Sequence, residues 1–360
     1  MKLWGRLLGG LGPGARLSPA FAVARPVLEI VVAKPKIFVT RPLPAPVLEL
    51  LATSCELRFN PEDSPVAADQ LSEACREVEG LVVCGTRVPE SVLSKAPLLR
   101  VVANVGVGYD HVDVVACTRR GILVTNTGGV LEETTADLAF SLLLATARRV
   151  VEGDRYVREG RWKKWEWGLL WGTDVHGQTL GIYGLGHIGQ AMARRGRGFS
   201  MRILYHSRHR VSEAVEGELG AEYVDRETLL RESDFLSLHV PLASETRHLI
   251  KADDLRRMKP TAFLINAARG AVVDEGALVT ALRERAIAGA GLDVFEGEPQ
   301  VHSGLLTLPN VVLLPHVGSA TAQTRLKMAM LAAENLLAAL AGTRPSNLVN
   351  PEAWKLRTGH

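Results

Sequence analysis

A chain of 360 residues, 47% hydrophobic and 22% charged, is long enough for two globular domains, and no run approaches the roughly 20 consecutive apolar residues of a membrane span. The formal charge of +3 sits at the start: Lys2, Arg6, Arg16, Arg25 and Lys34 face only Glu29 in residues 1–35. The rest of the chain is therefore close to neutral, which argues against a nucleic-acid-binding face.

Residues 1–35 are Gly-, Leu- and Arg-rich, with no acidic residue before Glu29. A disordered extension and an organelle-targeting segment both fit that composition. The expected compartment is the cytoplasm, or the mitochondrion if the tail is a transit peptide. Gly9, Gly10, Gly12 and Pro13 interrupt the apolar runs, which speaks against a secretory signal. Cys55, Cys75, Cys84 and Cys117 are far apart and read as reduced thiols.

From Lys36 onward, short β-branched runs alternate with helical segments, the pattern of parallel sheets covered by helices. Strands are predicted at Lys36–Thr40, Gly80–Cys84, Arg100–Asn104 and Ile122–Val124, with a helix starting at Pro89. A long helix is predicted over Leu131–Arg149, with Leu138, Leu142, Ala145 and Ala147 on its apolar face. A stretch with Trp162, Trp165, Trp167 and Trp171 follows, expected at a domain or subunit contact, or else walling a pocket. A second βα series starts at Thr179 and continues through Arg202–His206, Phe235–Leu238, Ala262–Ile265, Gly289–Asp293 and Val311–Leu314. A last helix, Thr321–Ala341, stops at Gly342. It has no sheet of its own, so it is expected to return to the first domain. The expected division is a tail (1–35), a first domain of 36–131 plus 319–351, and an inserted domain of 132–318, with closure over the cleft between them.

Residues 179–189 read TLGIYGLGHIG: a buried strand, then G-x-G-x-x-G at Gly184, Gly186 and Gly189, then a helical segment. The glycines provide a tight turn, close approach of backbone to a pyrophosphate and close helix–strand packing. The helix start adds free N–H groups for the phosphates. Strand, glycine turn and helix together predict a dinucleotide site. An NAD site would carry Asp or Glu at the end of the second strand, but here His206 is followed by Ser207, Arg208, His209 and Arg210. A hydroxyl and two arginines suit a 2′-phosphate, so NADP(H) is favoured and NAD(H) possible. No cluster has metal-ligand spacing, so no metal is expected.

Three later strands end in polar segments: Asn266–Gly270, Gly291–Pro299 and Leu314–Thr321. Ligands of open α/β sheets gather at such carboxyl ends. Together with Val102–Asp113 (VANVGVGYDHVD), Thr125–Asp137 (TNTGGVLEETTAD) and Gly184–Gly189, these segments resemble the D-isomer-specific 2-hydroxyacid dehydrogenases over about residues 36–351. Gly153–Lys164, Gly172–Val175 and Phe199–Tyr205 are similar to the glyoxylate, hydroxypyruvate and 2-ketogluconate reductases within that family. The resemblance implies two doubly wound α/β domains, a Rossmann cofactor domain inserted into a flavodoxin-like substrate domain, and a homodimer.

It also implies Arg269, Glu298 and His316 as the catalytic arginine, glutamate and histidine, with backbone amides near Val107 and Gly108 gripping a substrate carboxylate beside Arg269 and His316. The implied cofactor contacts are Gly184, Leu185, Gly186, His187, Ile188, Gly189, Ser207, Arg208, His209, Ala267, Ala268, Arg269, Asp293, His316 and Gly318. His111, His187, His206 and His209 are read as binding-loop or surface residues. The implied activity is reduction of a small 2-keto acid, glyoxylate to glycolate or hydroxypyruvate to D-glycerate, with the imidazole as general acid. Formate dehydrogenases are disfavoured because they place glutamine where Glu298 stands. A non-enzymatic alternative on this scaffold is a dinucleotide-responsive corepressor, which the absence of the NAD-type acid disfavours.

Overall fold

The computed structural model describes residues 33–358. Both readings of the basic tail, as a disordered extension or a targeting segment, concern residues that lie almost entirely outside that range.

Two parallel sheets organise the described chain. The first consists of β1 (Lys36–Val39), β2 (Glu56–Phe59), β3 (Gly80–Val83), β4 (Val101–Asn104) and β5 (Leu123–Thr125), in the order β2-β1-β3-β4-β5. The second consists of β6 (Thr179–Tyr183), β7 (Arg202–His206), β8 (Ala221–Tyr223), β9 (Phe235–Leu238), β10 (Phe263–Asn266), β11 (Gly289–Leu292) and β12 (Val311–Leu313). Its order is β12-β11-β10-β9-β6-β7-β8. These are the flavodoxin-like and the Rossmann strand orders, each with a reversal where ligands bind beyond the strand ends. The reversal in the second sheet lies between β6 and β9, beside the glycine-rich turn.

Central strands such as β3, β4, β9 and β10 are buried along their whole length. Helices cover both faces, so these strands need no polar alternation. The sequence pattern does not reveal β2 or β8. Both are edge strands: β2 (ELRF) is largely exposed, and β8 (AEY) is three residues long. An edge has one paired side and less apolar burial, hence no long β-branched run.

Helix Glu132–Ala147 packs Ala139, Phe140, Leu142, Leu143 and Ala147 into the core beneath β6, β7 and β10. Leu131, just before it, belongs to the core of the first sheet, so the chain crosses from one lobe to the other here. Helix Ala322–Leu340 makes the return. Its Met328, Ala329, Ala332, Ala333, Leu336 and Ala339 pack with Ile37, Val39 and Val101 of the first sheet. Burial of six such side chains stabilises this docking by several kcal/mol, at about 25 cal/mol per Å². Where the two helices pass, Thr134 and Thr324 hydroxyls are hydrogen-bonded at 2.7 Å. A further helix, Pro351–Thr358, is anchored ahead of its start by Asn350, whose side chain bonds the backbone at Val124 and Ile122.

The Trp-rich stretch differs from a contact between lobes. Trp162, Trp165, Trp167 and Trp171 are 55–77% exposed within the chain. No helix among the described residues is long and apolar enough to cross a membrane.

Candidate active site

The glycine-rich turn divides its duties among three residues. Gly184 has φ +96°, and a Cβ there would lie 2.9 Å from the His239 carbonyl oxygen, so conformation and space both demand glycine. A Cβ on Gly189 would sit 2.3 Å from the Gly184 oxygen, which fixes the close approach of helix His187–Gly198 to β6. Gly186, the N-cap of that helix, faces open space with nothing within 4 Å of a hypothetical Cβ. Bare backbone and a helix start thus present a cradle that fits a pyrophosphate.

Ser207 follows β7 and its hydroxyl accepts a hydrogen bond from the Leu185 amide at 2.7 Å, which ties it to the glycine turn. Arg208 and His209 are exposed. Arg210 is different: its guanidinium forms a two-pronged pair with Glu216 at 2.8 Å for each bond. Hydrogen bonds from Arg210 and the Tyr205 hydroxyl hold the Glu216 carboxyl down to about 2. Of the two arginines the sequence offered for a 2′-phosphate, Arg208 is therefore the less committed.

The loop after β4 is organised by two asparagines. Asn104 donates from Nδ2 to the carbonyls of Gly106 and Gly108, both at 2.9 Å. Asn126 donates to the Val107 carbonyl at 3.0 Å. Three successive carbonyls are thereby drawn toward protein donors. In a planar trans peptide the following N–H points the other way, so the amides of Val107 and Gly108 turn away from those asparagines. Neither amide makes a backbone hydrogen bond among the described residues.

Charged side chains come from the ends of the second sheet. Arg269 lies three residues past β10, with Nη1 bonded to the Ala268 carbonyl at 2.8 Å. Its Nη2 lies where a Cβ on Gly108 would be, 1.6 Å from that position. His316, three residues past β12, places Nδ1 2.8 Å from Glu298 Oε2, and Glu298 Oε1 accepts from the Phe295 amide at 2.9 Å. Burial works to raise the Glu298 pKa, but the bond and charge of His316, the Phe295 amide and the charge of Arg269 outweigh it and hold it below the ordinary value. The arginine, the glutamate and the histidine share one electrostatic neighbourhood.

His316 has φ +55°, a strained conformation for a residue with a side chain. Asp293 holds it there. Its carboxylate accepts from the amides of Val317 and Gly318, both at 2.8 Å, and its carbonyl accepts from the His316 amide. Asp293 is buried, with both side-chain oxygens beneath the loop; burial raises its pKa against the pull of those amides and the nearby histidine. Gly318 fits closely over it, a Cβ there being 3.2 Å from Asp293 Oδ2.

Ala267 and Ala268 complete the turn that Asn266 stabilises by accepting from the Ala268 amide. His187 opens its helix beside Ile188. His206 stacks on Tyr223 with Nδ1 against the Val224 carbonyl. His111 departs from a surface reading: its Nε2 is buried without a hydrogen-bond partner among the described residues, and burial lowers its pKa. Residues the sequence reading passed over are Asn104, Asn126, Asp110 and Glu275. The last is a buried acid that accepts from the Glu296 amide and so braces the segment carrying Glu298. An asparagine closing a buried strand ahead of a Gly-rich loop was the one available signal.

Among the described residues, no group of three or more His, Cys, Asp or Glu is placed to hold a metal ion.

Comparison with known proteins finds relatives over most of the chain. The profile for the D-isomer specific 2-hydroxyacid dehydrogenase NAD binding domain matches residues 140–318. The glyoxylate reductase of Thermococcus litoralis is 52% identical over 324 residues, covering 89% of this chain and 98% of the relative. That of Korarchaeum cryptofilum is 53% identical over 327 residues, 90% and 98% of the two chains. The crystal structure of an NADPH-dependent glyoxylate/hydroxypyruvate reductase from Sinorhizobium meliloti, in complex with NADP and malonate, has a TM-score of 0.80 and 40% identity, covering 89% of this chain and 98% of that one. The chain belongs to the D-isomer-specific 2-hydroxyacid dehydrogenase family and is an NAD(P)-dependent dehydrogenase.

Proposed function

We propose that this enzyme reduces small 2-keto acids, glyoxylate first and hydroxypyruvate second, with NADPH preferred over NADH. The substrate lobe is residues 36–131 with 319–351, and the cofactor lobe is 132–318. The observation that carries the reading is the His316–Glu298 pair at 2.8 Å together with Arg269 against the Gly108 backbone. A proton donor and a carboxylate anchor are thus held on one cleft.

Gly184–Gly189, Ser207–His209, Ala267–Arg269, Asp293, His316 and Gly318 are the positions assigned to the cofactor, whose nicotinamide when bound supplies the hydride. Arg269 and the amides of Val107 and Gly108 hold the substrate carboxylate by charge-assisted hydrogen bonds and align the keto carbon. Nδ1 of His316 donates to Glu298, which leaves Nε2 to carry the proton given to the carbonyl oxygen as it becomes a hydroxyl. Glu298 orients the ring. Arg208, less committed than Arg210, and the absence of a carboxylate after β7 support the NADPH preference.

The exposed tryptophans of residues 162–171, with exposed Val150, Val151 and Val157, support a homodimer through this face, which light scattering of the purified protein checks. Imaging of a tail–reporter fusion decides between cytoplasm and mitochondrion.

The functional test follows NADPH absorbance with glyoxylate, hydroxypyruvate and a ketone lacking a carboxylate. We expect turnover of the two acids and little of the ketone. Arg269→Ala should lower kcat/KM for glyoxylate by about a thousandfold or more, as loss of a charged hydrogen-bonding anchor in both ground and transition states. Equal turnover of acid and ketone, or wild-type kcat/KM in Arg269→Ala, overturns the reading.

A further inference from the structure

Arg269 and Asp110 are 159 residues apart in sequence, on opposite lobes, and form an ion pair with Arg269 Nε 2.8 Å from Asp110 Oδ1. Asp110 lies in the loop after β4, two residues beyond Gly108. Both partners are about three-quarters removed from solvent, so the contact is screened less than a surface pair.

The guanidinium has five N–H donors in a rigid plane. Asp110 takes the Nε donor and the Ala268 carbonyl takes one on Nη1. No hydrogen bond to Nη2 is found among the described residues, and Nη2 is the corner lying over Gly108. Two bonds fix a plane and leave one corner presented to the amides of the same loop.

We propose that Asp110 is a positioning residue: reaching across the cleft, it orients the Arg269 guanidinium so that its Nη2 corner faces the substrate carboxylate. This rests on the proposed role of Arg269 as carboxylate anchor. An arginine held only by the Ala268 carbonyl keeps much of its rotamer freedom, which substrate binding then has to remove. Because the pair spans the two lobes, the anchor takes its final orientation only when the lobes meet. Closure and substrate alignment become one event.

The test is a double-mutant cycle on the full chain: wild type, Asp110→Asn, Arg269→Lys and the double variant. Each is assayed for kcat and KM with glyoxylate, for NADPH Kd by fluorescence, and for thermal midpoint. Asp110→Asn keeps the shape and removes the charge. It should lower kcat/KM about ten- to a hundredfold, as expected for a small misplacement of a reacting partner, with a much smaller change in NADPH Kd and a thermal midpoint lowered by no more than about a few degrees for loss of one partly buried pair. Lysine keeps a cation but has no fork for Asp110 to orient, so the double variant should lose little beyond Arg269→Lys alone.

Additive losses in the double variant, wild-type kcat/KM in Asp110→Asn, or an equal loss in NADPH binding each overturn the proposal. The two readings fail separately. Arg269→Lys and Arg269→Ala both at wild-type activity remove the anchor itself. Arg269→Lys impaired beside a wild-type Asp110→Asn removes only the pairing.

Discussion

The two lobes equip one cleft in different ways. The loop after β4 offers bare backbone, its carbonyls drawn in by Asn104 and Asn126. The ends of β10 and β12 offer side chains, Arg269 and His316, on turns braced by Asn266 and Asp293. Backbone donors are positioned by neighbours that hold their carbonyls. Charged side chains need bracing at the main chain and a partner at the tip. Two glycines show the contrast. A Cβ on Gly108 would meet the end of the flexible Arg269 side chain, whereas one on Gly270 would lie 1.9 Å from the Phe295 carbonyl carbon and 2.2 Å from its oxygen.

The largest effect we expect on stability comes from that second glycine. Gly270→Ala forces backbone against backbone and should destabilise the protein by about 3 kcal/mol or more, beyond ordinary overpacking of side chains. Thermal and urea unfolding measure it, and a midpoint equal to wild type would break the contrast. Gly108→Ala should do the opposite. Arg269 can swing aside, so the unfolding free energy should stay within about 1 kcal/mol of wild type. With the arginine displaced, kcat/KM for glyoxylate should fall about a hundredfold. Comparable unfolding losses in both variants would show that Gly108 is as rigidly enclosed as Gly270.

A smaller effect belongs to the cofactor side. Ser207→Asp keeps an acceptor for the Leu185 amide but puts a negative charge where a 2′-phosphate is expected. The NADPH/NADH ratio of kcat/KM should drop by about tenfold or more, since like charges a few ångströms apart repel by a few kcal/mol at intermediate dielectric. An equal loss with both cofactors would put the ribose elsewhere.

The mildest test is a shift in pH dependence. Glu298 has its pKa depressed in the folded enzyme. Its interaction with His316 is therefore present at neutral pH and lost only as pH falls through that depressed value. The acid limb of kcat/KM for reduction attributable to Glu298 should lie below the ordinary glutamate value of about 4.3, and Glu298→Gln should abolish it. An acid limb above that value, or one that persists in Glu298→Gln, would break the assignment of the limb to this pair.

Much of the site is legible in the sequence because its parts are local. Strand, glycine turn and helix start lie within residues 179–198, and the reasons for Gly184 and Gly189 are contacts within a few residues or with the adjacent strand, while Gly186 leaves the helix start open. The polar segments after β10, β11 and β12 are legible for the same reason: polar residues at the end of a buried strand have no core to fill. Asp293 is a partial case. Its place at a strand end is visible, but its hold on the amides of Val317 and Gly318 is not, since that depends on β11 and β12 lying side by side.

What the sequence by itself determined is the alternation of strands and helices and the glycine-rich turn, which follow from hydrophobic period and residue chemistry read along the chain. The arginine, glutamate and histidine are singled out by the family resemblance of the segments that carry them. Only the tertiary structure decided the strand orders, the edge strands β2 and β8, the exposure of the tryptophans, the inward turn of the loop carbonyls and the Asp110–Arg269 pair. Each of these is set by packing between segments distant in sequence, and short-range spacing carries no record of which distant side chain will arrive within 3 Å.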